Sequence, residues 1–231
     1  MSRQKRMSIV IGLILSACIP LAASGAGLQP IDRIYDFGEV AIDFHVFHEF
    51  TLLNRSSRPI HLDSVKVACD CSAIWVMDST VNPGDTARIG LDFSTKDYYG
   101  RTSKAIKVYC DDTATPTQEL FYLSTVGQWY LGLKPDPISL FFLPGRDSVA
   151  LVIPNPALNE IEIDSIDAYG DMVKTQVVQD KAARGGKLHL TVSPRAGLTK
   201  GTYHTSLRIA VKVFGIDDVI YKTIPAKIVR Y

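Results

Sequence analysis

The chain has 231 residues, of which 46% are apolar and 21% charged, with 25 basic and 24 acidic side chains. This composition excludes a disordered tail or a low-complexity fibre, and the near balance of charge, with no basic stripe, gives no footing for nucleic acid. The length suits one large domain or two of about 100 residues each.

The first residues differ from the rest. Arg3, Lys5 and Arg6 form a basic head, Met7 to Leu15 carries no charge, and small residues continue through Ala22-Ala23-Ser24-Gly25-Ala26-Gly27. That order predicts a secretory signal over residues 1–26 and an extracytoplasmic protein. A membrane anchor is the competing reading, since the uncharged run from Met7 to Gly27 is long enough to span; its weakly apolar second half favours cleavage. Two products stay open. Leu15-Ser16-Ala17-Cys18 resembles the lipobox of bacterial lipoproteins, in which Cys18 would carry the lipid and anchor the chain to a membrane. Against this, Ile19-Pro20-Leu21 is apolar where lipoproteins continue with polar residues. The alternative is cleavage near Ala26, which yields a soluble periplasmic form. Removing residues 1–26 deletes three basic residues and no acidic one, so the charge moves from +1 to −2.

Beyond the leader the pattern is of strands without a convincing helix. Phe44 to Leu53 is rich in β-formers. Asn54 to Pro59 is a polar turn, and Ile60 and Leu62 open a strand whose phase slips near Asp63-Ser64, which predicts a bulge before Val65 and Val67. After the turn Asn82-Pro83-Gly84-Asp85, Ala87, Ile89, Leu91 and Phe93 alternate with polar residues or glycine, as a half-buried strand does. Ile106, Val108 and Cys110 alternate next, and Leu120 to Val126 closes the first unit. The second unit repeats the style less regularly: Ile138 to Leu143, Val149 to Ile153, Ile161 and Ile163, Val173 to Val178, Leu188 to Val192, Tyr203 to Val213 and Ile220 to Val229. Turns every 8 to 15 residues between short alternating strands predict an all-β chain of two tandem Ig-like β-sandwich domains, residues 30–127 and 135–231. The segment Gly127 to Pro137 joins them. Its Pro135 and Pro137 predict stiffness, and Trp129 and Tyr130 predict packing between the two domains.

Three pieces carry a family resemblance. Tyr35-Asp36-Phe37-Gly38-Glu39-Val40 resembles the opening D-F-G strand of the bacterial DUF1573 family. Cys69-Asp70-Cys71 stands where that family has C-G-C, with Asp70 in place of the usual Gly. Asn82-Pro83-Gly84-Asp85, followed by Ile89 to Phe93, resembles its P-G turn and next strand. The resemblance runs from Tyr35 to about Val126. It implies an exported, Ig-like domain related in shape to the major sperm protein, and no known chemistry. The second unit carries no clear family motif.

Four cysteines are present: Cys18, Cys69, Cys71 and Cys110. If Cys18 is removed or lipidated, an odd number remains in an oxidising compartment. Residues i and i+2 of a strand lie too far apart for a disulfide, so Cys69 and Cys71 pair only across a turn at Asp70. Cys110 and Cys69 both share the parity of inward-facing residues. The favoured pairing is therefore a cross-strand or cross-sheet bond from Cys69 or Cys71 to Cys110. Three reduced, buried thiols, and a redox or metal-handling role, are the alternatives.

Other candidates have ordinary readings. His45 and His48 are three apart in a strand and face opposite sides, so they cannot chelate together. Asp111-Asp112 and Asp217-Asp218 sit in turn-like stretches and read as solvated. Trp75 reads as a core residue. Tyr98 and Tyr99 are candidates for partner contact, or else one packs inward while the other covers an edge. No nucleophile elbow, zinc motif, P-loop or EF-hand loop occurs, so no cofactor, metal or small-molecule substrate is implied. The leading functional reading is a non-catalytic structural or protein-binding module of the bacterial envelope, with an envelope protein or peptide as partner. The alternative is a redox or metal-handling protein using Cys69, Cys71 and Cys110.

Overall fold

The computed structural model describes residues 27–68 and 71–231. Cys18 and the whole predicted signal, together with Cys69 and Asp70, lie outside the described residues. Seventeen strands and two single-turn 3-10 segments make up the regular structure of the rest. The first nine strands are β1 (Leu28–Pro30), β2 (Ile34–Val40), β3 (His45–Asn54), β4 (Ile60–Val67), β5 (Ser72–Val76), β6 (Thr80–Val81), β7 (Thr86–Ser94), β8 (Gly100–Cys110) and β9 (Thr117–Val126). After a 3-10 turn at Tyr130–Gly132 come β10 (Leu140–Phe142), β11 (Val149–Pro154) and β12 (Glu160–Ala168). A second 3-10 turn, Tyr169–Asp171, leads to β13 (Val173–Gln179), β14 (Lys181–Ala183), β15 (Lys187–Pro194), β16 (Gly201–Val213) and β17 (Val219–Arg230). The described chain is thus all-β, as the alternation predicts.

Two hydrophobic cores form, and the alternation explains both. Val46, Phe50 and Leu52 of β3 and Ala87, Ile89, Leu91 and Phe93 of β7 point inward from the sheet β1-β3-β7-β5. They meet Phe37, Tyr122, Ile106, Val108 and Ile60, which point inward from the β2-β9-β8-β4 part of a long second sheet. The second core lies between the sheet β11-β15-β13 and the β12-β16-β17 part of that long sheet, with Leu151, Leu190, Ile209 and Ile224 at its centre. Fully burying one such side chain contributes roughly 1.5–3 kcal/mol.

The two cores are built to one plan, and the registers show it. Ile60 pairs with Val81 across β4 and β6, and 101 residues later Ile161 pairs with Ala182 across β12 and β14. Ser72 pairs with Phe93, and Val173 with Pro194. Leu53 pairs with Thr86, and Pro154 with Lys187. The bulge between Leu62 and Ser64, predicted from the phase slip, recurs between Ile163 and Ser165.

A buried asparagine closes the same corner in both halves. Asn54 Nδ2 donates to the Val81 carbonyl at 2.8 Å, and Asn155 Nδ2 to the Ala182 carbonyl at 2.9 Å. The Gly84 N–H donates to the Asn54 carbonyl, and the Gly185 N–H to the Asn155 carbonyl. Buried amides that meet all these groups leave no orphan polar atom at the corner.

Several sequence expectations need correction. The favoured disulfide to Cys110 does not form: Cys110 is a free, buried cysteine, and no disulfide joins two of the described residues. The reason is register. Cys110 lies opposite Leu62, whereas the Cys69-Asp70-Cys71 segment follows Val67, which lies opposite Ile106. At about 3.3 Å per residue, Leu62 and Val67 lie roughly 16 Å apart along β4, and the Cys71 carbonyl, beyond the end of that strand, accepts from Ser94 of β7 in the other sheet. Shared parity in the sequence says nothing of distance along a strand or of which sheet a residue joins.

Trp75 is half-buried and outside the core. It covers Gly90 of the neighbouring strand so closely that an added Cβ there would lie 2.0 Å from its ring. Asp112 is buried rather than solvated: its carboxylate accepts from the Thr115 N–H and hydroxyl and closes the loop before β9. The Thr115 hydroxyl bond holds its pKa below the ordinary carboxylate value. Asp217 and Asp218 are exposed, as expected.

Candidate functional site

The side chains with the most unusual environments gather where the two halves of the chain meet. The meeting begins with Asp36-Phe37-Gly38-Glu39. Between Asp36, opposite Leu123, and Glu39, opposite Thr125, β2 leaves its ladder with β9. Asp36 Oδ1 accepts the Gly38 N–H at 2.7 Å, an Asx turn that Gly38 completes at a φ of 66°. This kink drives Phe37 into the core, edge-on to Tyr35 and Tyr122.

The same kink presents its backbone outward to the second half. The Asp36 carbonyl accepts from Arg208 Nη1 at 3.0 Å, and the Phe37 carbonyl from Thr223 Oγ1 at 2.5 Å. Gly38 leaves room for the Tyr221 backbone, whose carbonyl oxygen would lie 2.2 Å from any Cβ at that position. Glu39 pairs with Lys222, both as β-ladder partners of β2 and β17 and as a side-chain ion pair.

Lys222 is fully buried and Glu39 nearly so. The Lys222 ammonium also sits over the Trp129 ring, and the Tyr130 N–H donates to Glu39 Oε1 at 2.7 Å. Burial lowers the Lys222 pKa, and Glu39 opposes that shift. Trp129 therefore meets Lys222 of the second half, while Tyr130 reaches Glu39 through its backbone N–H and leaves its side chain exposed.

Beside this pair, Arg208 of β16 lies between the rings of Tyr35 and Tyr221, 4.2 and 4.7 Å from their centroids, and pairs with Asp167 at 2.9 Å. His48 stacks on Tyr35 at 3.5 Å. Burial, with the Arg208 charge adding to it, lowers the His48 pKa to about 3, and burial pushes the Tyr35 phenol up to about 12. The outer face of β3 completes the contact: the Phe47 N–H donates to Ser206 Oγ at 2.8 Å, and its ring stacks on Tyr169 at 5.9 Å.

On the far side of Phe47 the halves part into a cleft of about 560 Å³. Phe44, Phe47 and Phe141 line it with Leu140 and Pro225, and His45, Asp92, His204 and Lys227 supply its polar groups. His45 Nδ1 contacts Asp92 at 2.7 Å. Burial, and next the Lys227 charge, lower the His204 pKa. The cleft is a mainly apolar slot with a few polar points, a form suited to recognition.

The residues singled out from sequence are dispersed. His45 and His48 face opposite sides of β3, as parity requires, and among the described residues no group of three or more His, Cys, Asp or Glu could hold a metal ion. Cys110 donates to the Thr115 carbonyl at 3.3 Å, and burial raises its thiol pKa. Cys71 packs half-buried beside β7, its carbonyl accepting from Ser94. Cys71 and Cys110 therefore make no common site.

Tyr98 packs inward, edge-on to Phe93 at 5.6 Å, while Tyr99 is 72% exposed and lies with Ile42 against Gly127. Glu39, Arg208, Lys222, Asn54 and Asn155 were not anticipated. A self-comparison of the chain at a spacing of 101 residues would have aligned Asn54 with Asn155 and Gly84 with Gly185.

Among solved structures, a protein of unknown function from Porphyromonas gingivalis W83 aligns with 88% of this chain and 100% of its own, at 11% identity and a TM-score of 0.35. The E. coli chaperone DraB aligns with 85% of this chain and 95% of its own, at 10% identity and a TM-score of 0.34. Both similarities are low in sequence and in superposition. No curated protein matches the chain. One family model does, over residues 29–125, and it includes the Asp36-Phe37-Gly38 kink at the seam. Residues 29–125 therefore match the family described as "Protein of unknown function (DUF1573)".

Proposed function

We propose that this protein is a non-catalytic, extracytoplasmic module that binds an envelope protein or peptide, and that it does so as two tandem Ig-like sandwich domains, residues 30–127 and 135–231. The observation that carries this reading is the aromatic cleft between Phe44, Phe47 and Phe141, whose walls come one from each half. A slot between two docked bodies offers a partner apolar contact area, while His45, His204 and Lys227 offer polar anchors. The exposed Tyr99, beside Ile42, is a second contact candidate. The basic head and apolar run of residues 1–26 support export, with Cys18 as the residue that would carry a lipid if the lipobox is used. An enzyme is disfavoured because the polar side chains at the seam are spent on one another. The redox alternative is disfavoured because Cys110 is inaccessible and its thiolate suppressed.

The test is cross-linking in intact cells, with identification of the adducts, for the natural chain and for Phe141→Asp and Tyr99→Asp variants. The reading expects one partner that survives stringent washing and loses at least about tenfold in yield with Phe141→Asp, since a charge in an apolar contact is costly. Equal recovery with all three chains, or a chain retained in the cytoplasm, would overturn it.

A further inference from the structure

The two halves share one plan, yet the residues at the seam are not shared. In the second half β10 pairs with β17 as β2 pairs with β9, Tyr35 opposite Tyr122 and Leu140 opposite Ala226. In β10 and the two residues after it, the positions of Asp36-Phe37-Gly38-Glu39 are therefore filled by Phe141-Phe142-Leu143-Pro144. The first-half equivalents of Arg208 and Lys222, read from the registers of β8 and β9, are Lys107 and Gln118. The first half thus has the kink and the carboxylate but not the partner lysine, and the second has the lysine but no kink. The edge of β2 is complementary to β17 alone.

We propose that Gly38, Glu39 and Lys222 form a latch that selects β17 as the neighbour of β2 and holds the two halves together even when the chain between them is cut. A buried ion pair adds little net stability over apolar neighbours of the same size, because desolvating two charges offsets their attraction; its best-attested use is to choose register and partner. Here the choice is enforced from both sides. Any other strand on the β2 edge would leave the Glu39 carboxylate buried without a cation. Any other neighbour for β17 would strand the Lys222 ammonium, which among the described residues has the Trp129 ring besides. Gly38 adds a steric condition, since only a position without Cβ admits the Tyr221 backbone. The latch also sets the spacing of the cleft, because the walls at Phe47 and Phe141 belong to opposite halves.

A protease site inserted between Leu131 and Gly132, both exposed, allows the folded full-length chain to be cut after purification. The cut natural chain is expected to elute as one particle on size exclusion at micromolar concentration. Cut Lys222→Met is expected to dissociate, with affinity between the halves reduced on the order of 100-fold. Replacing both partners, Glu39→Met with Lys222→Met, is expected to recover most of that loss, which separates an unpaired charge from a damaged core. Circular dichroism of each uncut variant confirms that both halves are folded before cutting. Separation of the cut natural chain, or a cut Lys222→Met chain that stays whole, would overturn the latch, and neither result depends on whether an outside partner binds.

Discussion

At the scale of the residue, Gly38 shows how a short motif is made obligatory by two demands at once. Its positive φ completes the Asx turn, and its missing side chain admits Tyr221. The first demand alone costs alanine roughly 1–2 kcal/mol, and the second admits no Cβ unless the Tyr221 backbone shifts. Together they predict that Gly38→Ala destabilises the protein by at least about 2 kcal/mol, read as a lower urea midpoint. Gly84, also at positive φ but with open space around it, should lose clearly less with the same change. Cys110 is the second residue-level case. Buried, hydrogen-bonded and held protonated, it should stay unlabelled by maleimide in the native protein and react fully only in denaturant. Labelling within minutes under native conditions would refute the inert-thiol assignment.

At the scale of the element, the corners at Asn54 and Asn155 tie strand ends that are distant in sequence. Each side-chain amide donates to a carbonyl 27 residues on. Replacing either by alanine leaves buried carbonyls unsatisfied and should destabilise by about 1–3 kcal/mol, with similar values for the two sites because the surroundings repeat. Denaturant melts of Asn54→Ala and Asn155→Ala test this directly. Values differing by more than about threefold would mean that the matching registers hide different packing. The strands themselves were largely readable from alternation, as was the β4 bulge. Short strands such as β6, β10 and β14, with two or three residues each, were not, or were misjudged in length. Elements that short carry too few residues for period two to register, and they exist because a neighbouring strand offers a ladder.

At the scale of the whole molecule, the seam should make stability depend on pH. His48 is held neutral against Tyr35 beside the Arg208 cation, with a folded pKa of about 3 against 6.5 for the free side chain. Between these values the unfolded chain takes up the proton and the folded chain does not. The contribution of His48 is therefore complete above pH 6.5 and declines as pH falls toward 3. His48→Gln should flatten the stability curve across that window relative to the natural chain, while near pH 8 any difference between the two should not vary with pH. Chemical melts at pH 4, 6 and 8 would measure it. Identical slopes for the two proteins would show that His48 is not held neutral at the seam.

What the sequence determined by itself was periodicity: which side chains face inward, where the turns fall, and that the described residues are all-β. It also contained the D-F-G motif, which lies within residues 29–125, the stretch that matches the family model. What it left open was everything that depends on distance along a strand or on which edge meets which. Cys110 and Cys71 share a parity in the sequence, yet Cys110 lies opposite Leu62 of β4 while the Cys71 carbonyl meets Ser94 of β7 in the other sheet, and Lys222 looked like one polar residue in a long strand until β17 was seen against Glu39. Parity is local, set by the alternation of consecutive residues, and is written in the chain. Register and the pairing of edges are set by contacts between residues distant in the chain, 48 positions for Leu62 and Cys110 and 183 for Glu39 and Lys222, so only the tertiary structure decided them.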